Sequence, residues 1–381
     1  MSEARDGNGP VVAGGPGVAA GGLGGAAGGA GGAAAPEGQR GSRRPNARRP
    51  VRCALVGVGV MGREHAEILA SSLLADLAVC VDVDPRAAER VPAGVRFTTS
   101  LDEALATPGL EALFIATPQP FHEAAARAAL DRGLHVFSEK PIAHTLESAD
   151  AIVALEAAHP GRLVIGHMYR FDPRWMALKQ AVEDGRLGRI VHISTHGYTP
   201  DYEGRALADH TSLANENAVH GLDLLQWLAG PIERVYAEAS RTGVAGEGQV
   251  DSIAVTLRFA SGAIGTCETD WAMPSATGLS GELHFRAVGA NGIAWIDARD
   301  SGVGILSTRA APAFPGTLVY RDPSGAEQGI YRVEDEYFLA KVRDGRPWPV
   351  TATEARSALR VALAVDRSLE LGRPVTVEQL G

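Results

Sequence analysis

Six residues restrict this chain more than any others: Gly57-Val58-Gly59-Val60-Met61-Gly62. An apolar run at 51–56 precedes them and an amphipathic stretch follows, so they occupy the turn between a strand and a helix. Gly57 suits a tight turn, Gly59 leaves the backbone bare for close approach of a ligand, and Gly62 lets the helix press against the strand. The helix start adds free N–H groups and a dipole, which together attract an anion such as a pyrophosphate. Asp82 ends the next apolar run, 20 residues after Gly62, where a carboxylate accepts hydrogen bonds from ribose hydroxyls and repels a 2′-phosphate. The pattern predicts dinucleotide binding by Gly57, Gly59, Val60, Met61, Gly62 and Asp82, with NAD favoured. Arg86 is close enough to Asp82 to leave NADP open.

The surrounding pattern agrees with that turn. Short apolar runs at 51–57, 77–82, 95–97, 112–116, 135–137 and 163–166 alternate with helical stretches, the mark of a parallel sheet wound with helices. Ser100-Leu101-Asp102-Glu103 reads as a capping box, and Pro118 and Pro120 suit the entry to a helix. After about residue 170 the texture changes. A helix at 173–183, a strand at 189–195, a loop and a helix at 215–228 lead to strands near 234–241, 252–259, 263–268, 283–288 and 293–297. The turns Ala260-Ser261-Gly262 and Ala290-Asn291-Gly292 join them, and a helix at 353–371, opened by Thr351-Ala352-Thr353-Glu354, closes the chain. The fold class is therefore α/β: a Rossmann dinucleotide-binding domain at 51–170, then an α+β domain at 171–381 with an open, largely antiparallel sheet. Such a sheet has a second face to cover, which predicts a homodimer or homotetramer formed through it.

Composition excludes several other classes. Residues 1–50 hold 15 of the 46 glycines and cannot fill a core, so the reading there is a disordered tail. The tail carries six arginines against three acids, so the rest of the chain is more negative than the overall −9, which argues against a nucleic-acid partner. No uninterrupted apolar run of about 18 residues is present to span a membrane. Cys53, Cys80 and Cys267 are few, odd in number and mostly set in apolar runs, which predicts buried thiols in a reducing, cytoplasmic setting. Arg43-Arg44 invites a twin-arginine export reading, but the only apolar run after it is needed as the first strand.

Two clusters carry the chemistry. Lysine occurs only at Lys140, Lys179 and Lys341, against 33 arginines, so a lysine in Glu139-Lys140-Pro141 at the carboxyl edge of the parallel sheet marks work that a guanidinium cannot do. Lys179 and Lys341, on predicted helices, read as ordinary surface residues. In the second cluster, Glu216, His220 and Asp223 are spaced four and three apart and share one side of an α-helix. A carboxylate beside an imidazole orients it and favours its protonated form, as a histidine that takes and returns a proton needs. No further ligand falls at a metal-binding spacing.

With these residues in place, the chain resembles the glucose-fructose oxidoreductase, inositol dehydrogenase and rhizopine-catabolism (Gfo/Idh/MocA) family. The likeness runs from about Val51 to the carboxyl terminus. It rests on the glycine loop, Ala116-Thr117-Pro118 with His122, Glu139-Lys140-Pro141, Gly166-His167 with Arg170-Phe171, His220 with Asp223, Gly185-Arg186-Leu187-Gly188, and Gly372-Arg373-Pro374-Val375. The resemblance implies an NAD(P)-dependent oxidoreductase with the nicotinamide near Thr117-Pro118 and Glu139, and with His122 among the cofactor-binding residues. Lys140 and His220 would flank the substrate, the Lys140-Pro141 bond would be cis, and the last helix would pack back on the first domain. Glu216 departs from the inositol dehydrogenase pattern, whose members usually carry Asp four residues before the histidine.

The expected reaction is reversible oxidation of a secondary alcohol on a sugar or cyclitol. His220 takes the hydroxyl proton, Lys140 hydrogen-bonds the same oxygen, and Glu216 orients His220 or a neighbouring hydroxyl. Specificity is expected from the loop at 198–210 and from Trp271, with Arg170, Asp172, Tyr198 and His210 as candidate substrate contacts. Two rival readings are an NADPH-dependent reductase of a keto sugar or imine, and a non-catalytic regulator that binds a dinucleotide or sugar. The presence of both Lys140 and His220 speaks against the regulator.

Overall fold

The computed structural model describes residues 49–277, 281–297 and 319–380; the tail expected at 1–50 lies outside them except for Arg49 and Pro50. Strands β1 (Val51–Val56), β2 (Ala75–Val81), β3 (Arg96–Thr98), β4 (Ala112–Ile115), β5 (His135–Ser138) and β6 (Leu163–Ile165) form a parallel sheet in the order β3-β2-β1-β4-β5-β6. Helices α1 (Val60–Ser71), α2 (Leu101–Leu105), α3 (His122–Leu130) and α4 (Leu146–Ala158) connect them. Both faces of this sheet are covered: Ala54, Val56, Leu113 and Ile115 enter one core, and Cys53, Leu55, Phe114 and Phe137 enter the other. That is why its strands read as continuous apolar runs rather than alternating ones. The strand order reverses direction between β1 and β4, and a ligand crevice belongs at that point.

Ser100 does cap α2, accepting from Glu103 N at 3.3 Å, but only half of the capping box forms. Ser100 N donates to Thr98 Oγ1, and the Glu103 carboxylate accepts from Thr98 Oγ1 and Arg96.

After α5 (Pro173–Glu183) come β7 (Ile190–Tyr198), α6 (Asp201–Leu207), a π-helical turn at Ala214–Ala218 and α7 (Val219–Ala229). The expected loop after β7 therefore holds a short helix. Next are β8 (Ile232–Ser240), β9 (Ser252–Phe259), β10 (Ile264–Asp270), β11 (Glu282–Gly289), β12 (Ile293–Ile296), the hairpin β13 (Val319–Arg321) and β14 (Glu327–Gly329), α8 (Ile330–Asp344), α9 (Ala352–Leu371) and β15 (Val375–Thr376). The second sheet runs β12-β11-β7-β10-β9-β8-β15 and is antiparallel except between β7 and β10. Its inner face, including Ile193, Val255, Leu257 and Phe285, packs with Leu222, Leu225, Val361 and Val365 of α7 and α9.

α9 joins the two sheets. Thr351 and Glu354 complete a capping box, Ala352, Ala355 and Leu359 enter the core of the first sheet, and Val361, Ala362 and Val365 enter that of the second. α8 also returns to the first sheet, placing Phe338 and Leu339 against the core of Phe114 and Phe137. The chain beyond residue 319 thus packs on both sheets.

Candidate active site

The three glycines differ in what surrounds them. Gly57 has φ +88°, and a Cβ there would lie 2.5 Å from Ala116 O; one on Gly62 would lie 1.8 Å from Gly57 O. Around Gly59 nothing lies within 4 Å of an added Cβ. Gly59 is also the N-cap of α1, with no side-chain cap and no acid in the first turn, so the helix start presents bare N–H groups to open space. Asp82 accepts from Val58 N at 2.8 Å and from Asp84 N at 3.0 Å, which holds its carboxylate beside the loop. Arg86 turns to Asp84 instead and remains exposed. A dinucleotide fits this cradle: Gly57, Gly59, Val60, Met61 and Gly62 would hold the pyrophosphate, and Asp82 the ribose.

Val60 and Met61 border a cavity of about 540 Å³. Thr117, Pro118, Glu139 and Lys140 line it from the parallel sheet, and Tyr169, Tyr198, Tyr202, Glu203, Glu216, Asn217 and His220 line it from the second half. The Lys140–Pro141 peptide is cis. Lys140 Nζ donates to Glu216 Oε1 at 2.6 Å and to Glu216 O at 3.1 Å. Burial works against the charge on Lys140, but Glu216 and Glu139 outweigh it and raise the pKa above the usual lysine value.

The π-helical turn explains a correction to the helix reading. Regular α spacing predicts Glu216 beside His220, but Glu216 lies within Ala214–Ala218 and gives one carboxylate oxygen to Lys140 and the other to Gln119. Asp223 gives both oxygens to Arg170, at 2.6 and 2.9 Å. His220 lies edge-on to the Tyr169 ring, 5.4 Å between centroids. Burial, with the charges of Lys140 and His167, drives its pKa well below the usual histidine value. The imidazole is therefore neutral, the reverse of the protonated form expected from a paired carboxylate, and a neutral ring is the form that accepts a proton.

Other predicted residues stand behind the cavity. Arg170 is 3% exposed and bonds Asp223, Pro349 O and Glu354. Asp172 is also buried; it caps α5 through Arg174 N and pairs with the Arg174 guanidinium. Neither is available to a substrate, because the charge of each is already used within the fold. His122 does not itself line the cavity; its Nε2 meets the backbone oxygen of Thr117, a lining residue, at 2.8 Å and so supports the Thr117-Pro118 turn from behind. His210 is exposed just after α6 and does not line the cavity, whereas Tyr198 does. Trp271 is buried and acts at one remove: its Nε1 donates to Asn217 Oδ1 at 2.8 Å, and Asn217 Nδ2 donates to Thr199 Oγ1 at 2.6 Å. Asn217, Glu203 and Tyr331 reach the cavity without any signal in their spacing.

A pyrophosphate cradle opening into a cavity with one charged lysine and one neutral imidazole is the equipment of a nicotinamide-dependent dehydrogenase. Comparison with known proteins narrows this class. The Gfo/Idh/MocA oxidoreductase family, described as having an NAD-binding Rossmann fold, matches residues 51–167, and its C-terminal domain matches residues 175–294. An inositol 2-dehydrogenase of Streptomyces avermitilis is 36% identical over 340 residues, covering 85% of this chain and 94% of the relative. A scyllo-inositol 2-dehydrogenase (NAD(+)) of Bacillus subtilis is 28% identical over 352 residues, covering 86% of this chain and 96% of the relative. Among solved structures, GenD2 from gentamicin A biosynthesis in complex with NAD has a TM-score of 0.73 at 28% identity, with 86% of this chain and 96% of that one covered. The chain belongs to the Gfo/Idh/MocA family of NAD-dependent oxidoreductases.

Proposed function

We propose that this enzyme reversibly oxidises a secondary alcohol of a sugar, cyclitol or sugar derivative. The observation that carries the reading is the convergence of Lys140 and His220 on the cavity that begins at the glycine loop. NAD, when bound, supplies the hydride acceptor. The neutral His220 ring takes the hydroxyl proton, and the Lys140 ammonium donates a hydrogen bond to the same oxygen as negative charge grows on it. Glu216 holds Lys140 in place through its 2.6 Å contact and is exchanged in part for substrate hydroxyls. Tyr198, Tyr202, Glu203 and Asn217 provide the remaining polar and aromatic surface for a polyol. The inositol relatives support a cyclitol as the first substrate class to test.

The deciding experiment follows nicotinamide absorbance with NAD and NADP separately against inositols, sugars and amino sugars. Reduction of NAD by one class of polyol, lost in Lys140→Ala and His220→Ala, is the expected result. Cofactor binding without turnover in either direction across the panel would overturn it.

We assign the assembly to a homodimer or homotetramer closed over the outer face of the second sheet. Strand register places Tyr236, Thr256, Thr266, Ser194, Arg286 and Trp295 in one row across that face, and Trp295 is 68% exposed. Light scattering of wild type and Trp295→Glu tests this, and a monomeric wild type would refute it. The three cysteines are free and buried, which supports a cytoplasmic enzyme.

A further inference from the structure

Glu139 belongs both to the cavity wall and to a buried ionic cluster that the reaction scheme above does not use. His65, on α1, is fully buried. Its Nε2 lies 3.0 Å from Glu139 Oε1, and its Nδ1 lies 2.9 Å from both oxygens of Asp335 on α8. Phe114 and Phe137 flank the ring at 6.0 and 5.4 Å between centroids, so the pairs act in an apolar surrounding. The second oxygen of Glu139 accepts from Lys140 N at 2.9 Å. A continuous chain of contacts thus runs from α8 through α1 to the backbone of Lys140.

We propose that His65, backed by Asp335, is a positioning residue that clamps Glu139 and through it sets the orientation and the charge of Lys140. A neutral imidazole has one donor and one acceptor, so a ring facing a carboxylate at each nitrogen satisfies both only when it carries two protons. Burial opposes that charge, but Asp335 and Glu139 overcome it and hold the His65 pKa well above its usual value. The same contact keeps Glu139 ionised in spite of its burial. Burial and Glu139 push the Asp335 pKa up, while the His65 and Arg332 charges hold it down. Glu334, also on α8 and 1% exposed, is pushed well above the usual carboxylate value by burial and by Glu139 and Asp335, which favours its protonated form. Arg332 faces Asp335 from the same helix, while its guanidinium bonds Glu327 O, Glu336 and Ser71. Lys140, on the other side of Glu139, is the group that benefits from the ionised carboxylate.

The proposal rests on the assigned role of Lys140, but its test does not need turnover. The chain has only three lysines, so protein labelled with 13C at lysine Cε gives three side-chain signals, and Lys140→Arg assigns one of them. Removing the His65 charge in His65→Gln lets Glu139 take up a proton and removes one of the three carboxylates, the others being Glu216 and Glu203, that support the Lys140 ammonium. The Lys140 titration should then move down by about one pH unit, with Lys179 unmoved. Asp335→Asn should move it in the same direction, and serves as the test should His65→Gln fail to fold. With a working polyol, kcat should fall about tenfold or more while KM changes little. A folded variant whose Lys140 titrates as in wild type would overturn the proposal. Absence of any polyol turnover in wild type would count against the assigned reaction while leaving the titration result readable.

Discussion

In the proposed reaction Lys140 and His220 differ by charge: carboxylates favour the cationic lysine, and burial with that lysine favours the neutral imidazole. Lys140→Ala should lower kcat by roughly 10²- to 10⁴-fold, while NAD affinity, measured by titration calorimetry, stays within a few-fold of wild type. Lys140→Arg should not restore turnover, because a planar fork cannot replace a compact ammonium held by one carboxylate oxygen and one carbonyl. The histidine makes a separate prediction about pH. Its basic form exists above its pKa, and that pKa is depressed, so kcat/KM for oxidation should hold its plateau below about pH 6.5, the usual histidine value. An acid limb at or above that pH, absent in His220→Gln, would contradict the neutral ring. The scarcity of lysine made Lys140 visible in the chain. The partner of Glu216 was not visible, because spacing along an ideal helix cannot reveal a π-helical turn.

At the scale of elements, the strand–turn–helix at Gly57–Gly62 carries two opposed predictions. An added methyl at Gly62 collides with Gly57 O at 1.8 Å, so Gly62→Ala should lower the melting temperature as well as NAD affinity. A methyl at Gly59 meets nothing within 4 Å but enters the space left for the pyrophosphate. Gly59→Ala should therefore weaken NAD binding about tenfold or more with little change in melting temperature, and calorimetry with thermal unfolding separates the two. These elements were legible because periodicity, glycine and caps are local signals: the parallel strands, α5 and the Thr351 cap lie where the pattern put them. α6 was not, because its seven residues contain only one buried position and so show no apolar stripe.

Across the whole molecule, Arg170 is a tie rather than a substrate contact. It joins the segment after β6 to α7 through Asp223 and to the start of α9 through Pro349 O and Glu354. Arg170→Ala leaves the buried Asp223 carboxylate with only His167, 3.4 Å away, in place of its bidentate partner, which should cost about 3 kcal/mol in chemical denaturation. Burial alone would raise the Asp223 pKa, but His167 and Arg170 lower it. The pair's contribution is thus complete above the unfolded aspartate value of about 4, and the gap between wild type and variant should narrow as pH falls through the lower folded value.

Properties that depend on neighbours in the chain could be read without coordinates: the dinucleotide turn, the acid at Asp82, the class of each sheet and the singular lysine. Properties that depend on residues far apart could not. The return of α8 to the first sheet, the His65–Asp335 contact across 270 positions and the capture of Arg170 by Asp223 arise only when the chain closes on itself. The physical reason is that local backbone preference and periodicity are written in consecutive residues, whereas the protonation and the partner of a buried charge are set by whatever distant groups share its cavity.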